Sequence, residues 1–256
     1  MREYSRESAL AFAARLSRVC PDTVGDNVVS TVLHGSLTLG GFAPGRSDID
    51  LLTVVGDPLD GNQAATLAER MERMEADSPR RVDLRVVTRP TAGSPGRSPI
   101  LEAGIELRPG RKVQVRHSVE EPDLLVELSI ARAHGRTLVG AAPESVIGPV
   151  PREWLIEVGD RQLAAWQGLT DDAAHAELMV LTACRIWRFA VEGTHSSKGA
   201  AADWALARDP SLTAVEEALR RRTVDPAVTI DPDGVAHALA VVRRQLRGAF
   251  RGRPSP

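Results

Sequence analysis

Two aspartates two residues apart, Asp48 and Asp50, have the type and spacing that could do chemistry. They open an apolar segment, residues 48–55, whose composition predicts a β-strand. Residues i and i+2 of a strand point to the same face, so the two carboxylates would lie side by side. Adjacent carboxylates repel each other unless a cation lies between them. Because Mg²⁺ takes one or two carboxylates together with substrate phosphates, we predict a magnesium site at Asp48 and Asp50.

A second feature, the dipeptide Gly35-Ser36, follows a β-branched segment, residues 28–33. Small residues at the end of a strand let backbone N–H groups and a hydroxyl approach a phosphate, helped by the dipole of a following helix. Gly-Ser pairs and Asp-X-Asp triplets are each common in ordinary turns and strands. Here the two motifs occur together: a predicted strand ends at Gly-Ser, and after eleven intervening residues Asp-X-Asp opens an apolar strand. This combination is found in far fewer proteins than either motif alone.

The elements that must position these residues alternate between strands and helices in the first part of the chain. Strands are predicted from β-branched and apolar segments at residues 28–33, 48–55 and 82–88. Helices are predicted from apolar residues at helical spacing at residues 7–18 and 61–76. An alternation of this kind predicts an α/β domain.

The pattern changes after the third strand. Pro, Gly and Ser interrupt residues 89–111, which we predict to be a mobile loop with one short turn. After about residue 120 the apolar spacing is helical throughout. The predicted helices span residues 122–134, 152–167, 172–192, 200–208, 212–222 and 234–250. We therefore predict an α/β domain over 1–118 followed by an α-helical bundle over 119–256.

The composition limits the class of protein and its partners. With 256 residues, 43% hydrophobic and 26% charged, the chain is neither disordered nor fibrous. A net charge of −2 and an aromatic content of 4% argue against a nucleic-acid partner. The chain has no apolar run of membrane-spanning length and no signal-peptide core at its start, so we expect a cytoplasmic protein with no membrane partner. Cys20 and Cys184 have no metal-type spacing, in agreement with a reducing compartment.

The Gly-Ser and Asp-X-Asp combination resembles the signature of the polymerase-β-like nucleotidyltransferase superfamily. More closely, residues 33–52 are similar to the aminoglycoside adenylyltransferases that modify streptomycin and spectinomycin. The resemblance continues in the helical half, in the family's order, at 131–140 (ARAHGRTLVG), 181–187 (LTACRIW) and 198–208 (KGAAADWALAR). It covers the chain from about residue 30 to residue 222.

The resemblance implies a reaction and a set of site residues. The reaction would be the Mg²⁺-dependent transfer of AMP from ATP to a hydroxyl of the antibiotic, with release of pyrophosphate. The enzyme is expected to be a monomer. Asp83 falls where the family has a glutamate that serves as general base; being shorter, it would act as the base or as a third metal ligand. The other implied contacts are Asp48 and Asp50 for Mg²⁺, Gly35, Ser36, Ser47, Arg208 and Arg221 for the nucleotide, and Glu106, Trp187 and Glu192 for the antibiotic.

The chain departs from the family pattern at two further positions. Leu107 stands where the family commonly has a tryptophan after the residue equivalent to Glu106. Gly199 stands where an acidic residue usually follows the lysine equivalent to Lys198. Trp204, in the same segment, is interpreted as a core or domain-interface residue. Two alternatives stay open: a nucleotidyltransferase for another small-molecule or protein acceptor, and a catalytically silent nucleotide-binding module.

Overall fold

The structure is a computed structural model that describes residues 5–77 and 81–251. It divides into two compact units, Met1–Val150 and Pro151–Pro256. The predicted fold class is confirmed, since a mixed α/β unit precedes a unit whose described elements are all helices. The division lies after Val150 rather than at the predicted 118/119, because the helix and the strand that follow residue 119 pack with the sheet of the first unit.

A mixed β-sheet forms the centre of the first unit. In the described residues its strands are β1 (Val28–His34), β2 (Ile49–Val55), β3 (Val82–Thr88), β4 (Ile100–Leu107), β5 (Gln114–Glu120) and β6 (Arg136–Gly140). Their order is β5-β4-β3-β2-β1-β6, with β2 and β3 parallel and the other neighbours antiparallel. The strands predicted at 28–33, 48–55 and 82–88 are therefore confirmed.

Helices cover both faces of this sheet. They are α1 (Arg6–Leu16), α2 (Val19–Val24), α3 (Gly61–Asp77), α4 (Arg89–Gly93), α5 (Leu124–His134) and α6 (Pro143–Val146). Leu51 of β2 shares one core cluster with Leu67 of α3, and its neighbour Leu52 shares another with Leu128 of α5. Burial on both faces explains why β2 is almost continuously apolar instead of alternating.

Two sequence predictions for the first unit are wrong. The predicted mobile loop at 89–111 contains α4 and the whole of β4, which pairs with β3 and is mostly buried. The prediction that the chain is helical throughout after about residue 120 misses β6, which pairs with β1 at the sheet edge. Both strands contain glycine and lack a β-branched run, so their structure depends on long-range pairing more than on local propensity.

The second unit is a bundle centred on one long helix. Its helices are α7 (Arg152–Trp166), α8 (Ala176–Glu192), α9 (Lys198–Arg208), α10 (Thr213–Thr223) and α11 (Pro232–Arg251). Helix α8 contacts the other four and buries Leu181 and Trp187 in their common core. No helix among the described residues is long and apolar enough to cross a membrane.

Candidate active site

Strand register brings three of the predicted acidic residues into one row. Asp50 of β2 is the direct partner of Asp83 on β3, and Asp83 is the direct partner of Glu106 on β4. Directly opposed residues of neighbouring strands point to the same face of a sheet. We call Asp50, Asp83 and Glu106 the carboxylate row. His34 extends it on β1 as the partner of Asp50.

The turn after β1 fits closely around this row. Gly35 has a φ of +68°, and a Cβ placed on it would lie 1.8 Å from Asp50 Oδ2. The hydroxyl oxygen of Ser36, in the same 3₁₀ turn, is buried without a hydrogen-bond partner among the described residues. Such a hydroxyl is available to a ligand that enters the turn. Ser47, at the other end of the loop, instead accepts a hydrogen bond from Ala43 N at 2.9 Å.

Two arginines, Arg81 and Arg108, lie against the carboxylates of Asp48 and Asp83. Asp48, just before β2, has its Oδ1 2.5 Å from Arg81 Nε and its Oδ2 3.8 Å from Arg108 Nη2. The same Arg108 Nη2 lies 2.8 Å from Asp83 Oδ1. Arg108 is itself fixed, because its Nη1 donates to the carbonyls of Val82 and Leu107. Sequence reasoning assigned neither arginine to the site, and their signal was their position next to the ends of β3 and β4.

The charge state of Asp83 reflects its surroundings. Its carboxylate is largely buried, and this burial raises its pKa above the ordinary value. The nearby charge of Asp48 raises the pKa further, while Arg108 and Arg85 act in the opposite direction. A carboxyl group with a raised pKa is a better proton acceptor when it is ionised, as a general base requires.

The carboxylate oxygens next to the Gly35-Ser36 turn fit a magnesium ion that is bound together with a phosphate-bearing substrate. Asp48 and Asp50 offer hard carboxylate oxygens two residues apart, and the glycine at position 35 leaves space for the Asp50 carboxylate. Within residues 5–77 and 81–251, no group of three or more His, Cys, Asp and Glu side chains has the arrangement of a complete metal site. Mg²⁺ characteristically takes only one or two carboxylates and completes its shell with phosphates and water.

Glu106 is held by three arginines. Its Oε1 lies 3.3 Å from Arg85 Nη2 and 3.5 Å from Arg116 Nη2, and its Oε2 lies 3.7 Å from Arg108 Nη2. Leu107, the next residue, is buried opposite Val82 in the core on the other face of the sheet. Glu106 is therefore a carboxylate of fixed orientation, and Leu107 offers no surface next to it.

In the second unit the structure brings together three of the four predicted site residues, Trp187, Glu192 and Arg208. The Trp204 ring contacts Trp187 edge-on at 5.1 Å between centroids, and the Arg208 guanidinium carbon lies 3.6 Å from the Trp204 centroid. Trp204 Nε1 also donates to Glu192 Oε1, and Arg188 Nε donates to Glu192 Oε2 at 2.9 Å. The hydrogen bond from Arg188, followed by that from Trp204, lowers the pKa of Glu192.

Trp204 is the residue that sequence reasoning missed in this group, and its signal was a spacing of four residues from Arg208 on one helix face. Arg221 lies elsewhere on the unit: its Nη1 donates to the Ala173 carbonyl, before α8, at 2.8 Å. Gly199 lies in the first turn of α9 with open space where a side chain would begin.

Comparison with known proteins identifies the family. Residues 14–130 match the family model described as a nucleotidyltransferase domain, and residues 145–222 match the one described as the C-terminal domain of aminoglycoside adenylyltransferase. An aminoglycoside (3'')(9) adenylyltransferase of Klebsiella pneumoniae is 33% identical over 220 residues, which cover 78% of this chain and 82% of that protein. The chain belongs to the aminoglycoside adenylyltransferase family.

Other relatives agree with this assignment. The aminoglycoside (3'')(9) adenylyltransferase of Shigella flexneri is 35% identical over 191 residues, which cover 70% of this chain and 71% of that protein. The spectinomycin 9-adenylyltransferase of Staphylococcus aureus is 27% identical over 76% of each. A crystal structure of a spectinomycin adenyltransferase of Enterococcus faecialis, with ATP and spectinomycin, shares the fold with a TM-score of 0.74 over 96% of this chain and all of that one, at 16% identity.

Both groups of candidate site residues lie within the parts of the chain that match the family models. This aminoglycoside adenylyltransferase is an enzyme of the nucleotidyltransferase type, as the sequence resemblance predicted. The carboxylate row and the Gly35-Ser36 turn lie within the part that matches the nucleotidyltransferase domain. Trp187, Glu192, Trp204 and Arg208 lie within the part that matches the family's own C-terminal domain.

Proposed function

We propose that this enzyme transfers AMP from ATP, with Mg²⁺, to a hydroxyl of streptomycin, spectinomycin or both, and releases pyrophosphate. The carboxylate row beside Asp48 and the Gly35-Ser36 turn is the observation that carries the proposal. The named activities of the relatives supply the class of acceptor. We further propose that the enzyme acts as a cytoplasmic monomer and has no nucleic-acid partner; the net charge of −2 supports the last of these points.

The nucleotide would be held at the turn after β1. Asp48 and Asp50 would ligate Mg²⁺, which when bound neutralises the triphosphate and makes the α-phosphorus more electrophilic. Ser36, whose hydroxyl has no partner among the described residues, would donate to a phosphate oxygen. Ser47 accepts a hydrogen bond from Ala43 N, and an accepting hydroxyl can still donate its own hydrogen to a phosphate oxygen. Arg208 and Arg221, in the part of the chain that matches the family's C-terminal domain, stay proposed nucleotide contacts because of the family resemblance.

Asp83 would act as the general base. It would take the proton from the acceptor hydroxyl while that oxygen forms its bond to the α-phosphorus. The bond from the α-phosphorus to the bridging oxygen breaks in the same displacement, and the electron pair leaves with pyrophosphate. General base catalysis contributes about 10²–10⁴-fold, and most of the remaining acceleration comes from orientation and electrostatics. The short Asp83 side chain is fixed for this task by Arg108, 2.8 Å away.

The acceptor contacts would combine charge and an aromatic surface. Streptomycin and spectinomycin carry cationic amines or guanidines, so carboxylates are their natural partners. Glu192 is partly exposed and oriented by Arg188 and Trp204, and Glu106 lies in the carboxylate row. Trp187 is 5% exposed, so it would act mainly by packing against Trp204. Its own contact with the antibiotic would be limited to the edge of its ring.

The test measures pyrophosphate release from ATP and Mg²⁺ with streptomycin and spectinomycin offered separately. We expect release with at least one antibiotic, abolished by Asp48→Asn and by Asp50→Asn without loss of folded structure. Asp57→Asn, which removes an exposed carboxylate after the other end of β2, serves as the matched control and should keep full activity. Turnover that survives both site substitutions would refute the metal assignment.

Two other outcomes separate the alternatives. ATP binding with no release for either antibiotic, but with release for another small molecule or a protein, would favour the alternative acceptor. ATP binding with no transfer to any acceptor would favour the silent nucleotide-binding module.

A further inference from the structure

An ion pair that is buried on its arginine side lies beside the carboxylate row, and the transfer described above does not use it. Arg85 follows Asp83 by two residues on β3, so both side chains leave the same face of the sheet. Arg85 Nε lies 3.4 Å from Glu127 Oε1 on α5, and Arg85 Nη2 donates to Glu106 Oε1 at 3.3 Å. Only 10% of the Arg85 side chain is exposed, against 30% of the Glu127 side chain. One guanidinium therefore connects helix α5 to a member of the row.

The neighbouring strands leave room for this connection at one glycine. Gly104 of β4 is the register partner of Arg85 on β3 and of Arg116 on β5. A Cβ on Gly104 would lie 2.8 Å from Leu101 Cδ2 and 3.6 Å from Arg116 Nε. Because position 104 has no side chain, both arginines reach Glu106, one from each neighbouring strand.

The Arg85–Glu127 pair is incompletely compensated, which makes it weak evidence for a stabilising role. Arg85 Nη1 is buried with no hydrogen-bond partner among the described residues, so its desolvation is not compensated. Burial raises the pKa of Glu127 to about 7, and the opposing effect of Arg85 offsets only part of it. Replacing a buried ion pair by apolar residues of similar volume is often neutral or stabilising. An ion pair whose arginine keeps an unpartnered nitrogen and also contacts a site carboxylate points to a role in the site.

We propose that Arg85, anchored by Glu127, is a positioning residue that holds the Glu106 carboxylate in the row next to Asp83. This inference rests on the proposed function, in which Asp83 takes the proton and Glu106 contacts the acceptor. Correct orientation of the acceptor hydroxyl matters because a misplacement of about 1 Å can cost about 10²-fold in rate.

The decisive variant replaces both charges, in Arg85→Met combined with Glu127→Leu. Arg85→Met alone leaves the partly buried Glu127 without its partner, so it should unfold more easily, and the double variant should regain the wild-type unfolding temperature. We expect kcat with the antibiotic to stay at least about tenfold low in both, while KM for ATP is unchanged. Arg85→Lys should recover part of kcat, because it keeps the charge but cannot contact both carboxylates.

The control is Arg243→Met, which removes an arginine that pairs with Asp160 at 2.8 Å in the helical unit and should leave kcat unchanged. Glu127→Gln, which removes the charge of the anchor but keeps its shape and leaves Arg85 its contact with Glu106, covers the case in which the double variant does not fold, and it should lower kcat when assayed below its own unfolding temperature. Recovery of wild-type kcat together with stability in the double variant, or full kcat in a folded Glu127→Gln, would overturn the inference.

Failure of the proposed function has a separate signature. If the wild-type enzyme releases no pyrophosphate with either antibiotic, the acceptor assignment fails, and crystal structures of the wild type and the double variant then decide the positioning role. We expect the Glu106 carboxylate of the double variant to move by more than about 1 Å from its place beside Asp83. An unmoved Glu106 would reject the role of Arg85 whatever the acceptor is.

Discussion

The Asp50 carboxylate packs against Gly35 so closely that a Cβ at position 35 would lie 1.8 Å from Asp50 Oδ2. Gly35 also has a φ of +68°, a conformation that residues with a side chain rarely adopt. The glycine of the Gly-Ser turn is thus required for two separate reasons. One is the backbone path out of β1, and the other is the space that Asp50 occupies.

The first prediction separates these two requirements. Gly35→Ala and Gly45→Ala both place alanine at a positive φ, which costs roughly 1–2 kcal/mol in the free energy of unfolding. Gly45, with a φ of +74°, has nothing within 4 Å of an added Cβ, so Gly45→Ala should keep its activity. Gly35→Ala must also displace Asp50, and we expect a loss of at least about 10²-fold in kcat/KM. Equal activities of the two variants would show that the contact with Asp50 is unimportant.

The second prediction concerns the role of Asp83. If Asp83 is the general base, Asp83→Asn should lower kcat by about 10²–10⁴-fold. Affinity for ATP in the presence of Mg²⁺, measured by calorimetry, should stay within about twofold of the wild type, because the base does not contact the metal. A parallel loss of ATP affinity and of kcat would instead identify Asp83 as a third metal ligand.

The third prediction concerns pH. Arg108 opposes the burial that raises the pKa of Asp83, so Arg108→Gln should raise this pKa further. A base must be ionised, so a higher pKa moves the acidic limb of the kcat/KM profile to higher pH. Arg111→Gln removes an exposed arginine three residues further on and should leave the limb in place. A limb that does not move, or that moves to lower pH, in Arg108→Gln would contradict the coupling.

The contrast between Asp50 and Glu106 shows what the sequence can predict. Asp50 lies in an apolar, β-branched strand two residues from Asp48, so local spacing alone predicts its face and its neighbour. Glu106 was expected from the family resemblance, but its strand was predicted to be a loop, because Gly104 and the flanking prolines weaken the local signal. The spacing of two residues places Arg85 on the face of Asp83, but its contact with Glu106 and the approach of Arg108 depend on the pairing of β3 with β4, a long-range register that no local pattern contains.

The fourth prediction concerns stability in acid. His34 is buried at the end of β1, and burial, helped by the charge of Arg85, lowers its pKa to about 3 from 6.5. Between these values the unfolded chain binds a proton that the folded protein does not. The free energy of unfolding should therefore fall by up to about 1.4 kcal/mol per pH unit from pH 6.5 toward pH 3 through this group. Urea titrations of wild type and His34→Gln across this range measure it, and identical slopes would refute it.

The fifth prediction concerns Trp204, whose indole N–H donates to Glu192 while its ring contacts Trp187 and the Arg208 guanidinium. Trp204→Phe removes the N–H but keeps a ring, so Glu192 should lose orientation while Arg208 stays in place. If Glu192 contacts the antibiotic, KM for the antibiotic should rise about fivefold, the value of one hydrogen bond of about 1 kcal/mol, with KM for ATP unchanged.

The matched control for Trp204→Phe is Trp166→Phe, since Trp166 packs against the core of the same unit and lies on α7, away from the Glu192 hydrogen bond. It should leave both KM values unchanged. A rise in KM for ATP alone in Trp204→Phe would mean that Trp204 acts through Arg208 on the nucleotide. Unchanged KM values for both substrates would mean that Arg188, 2.9 Å from Glu192, is sufficient to orient that carboxylate.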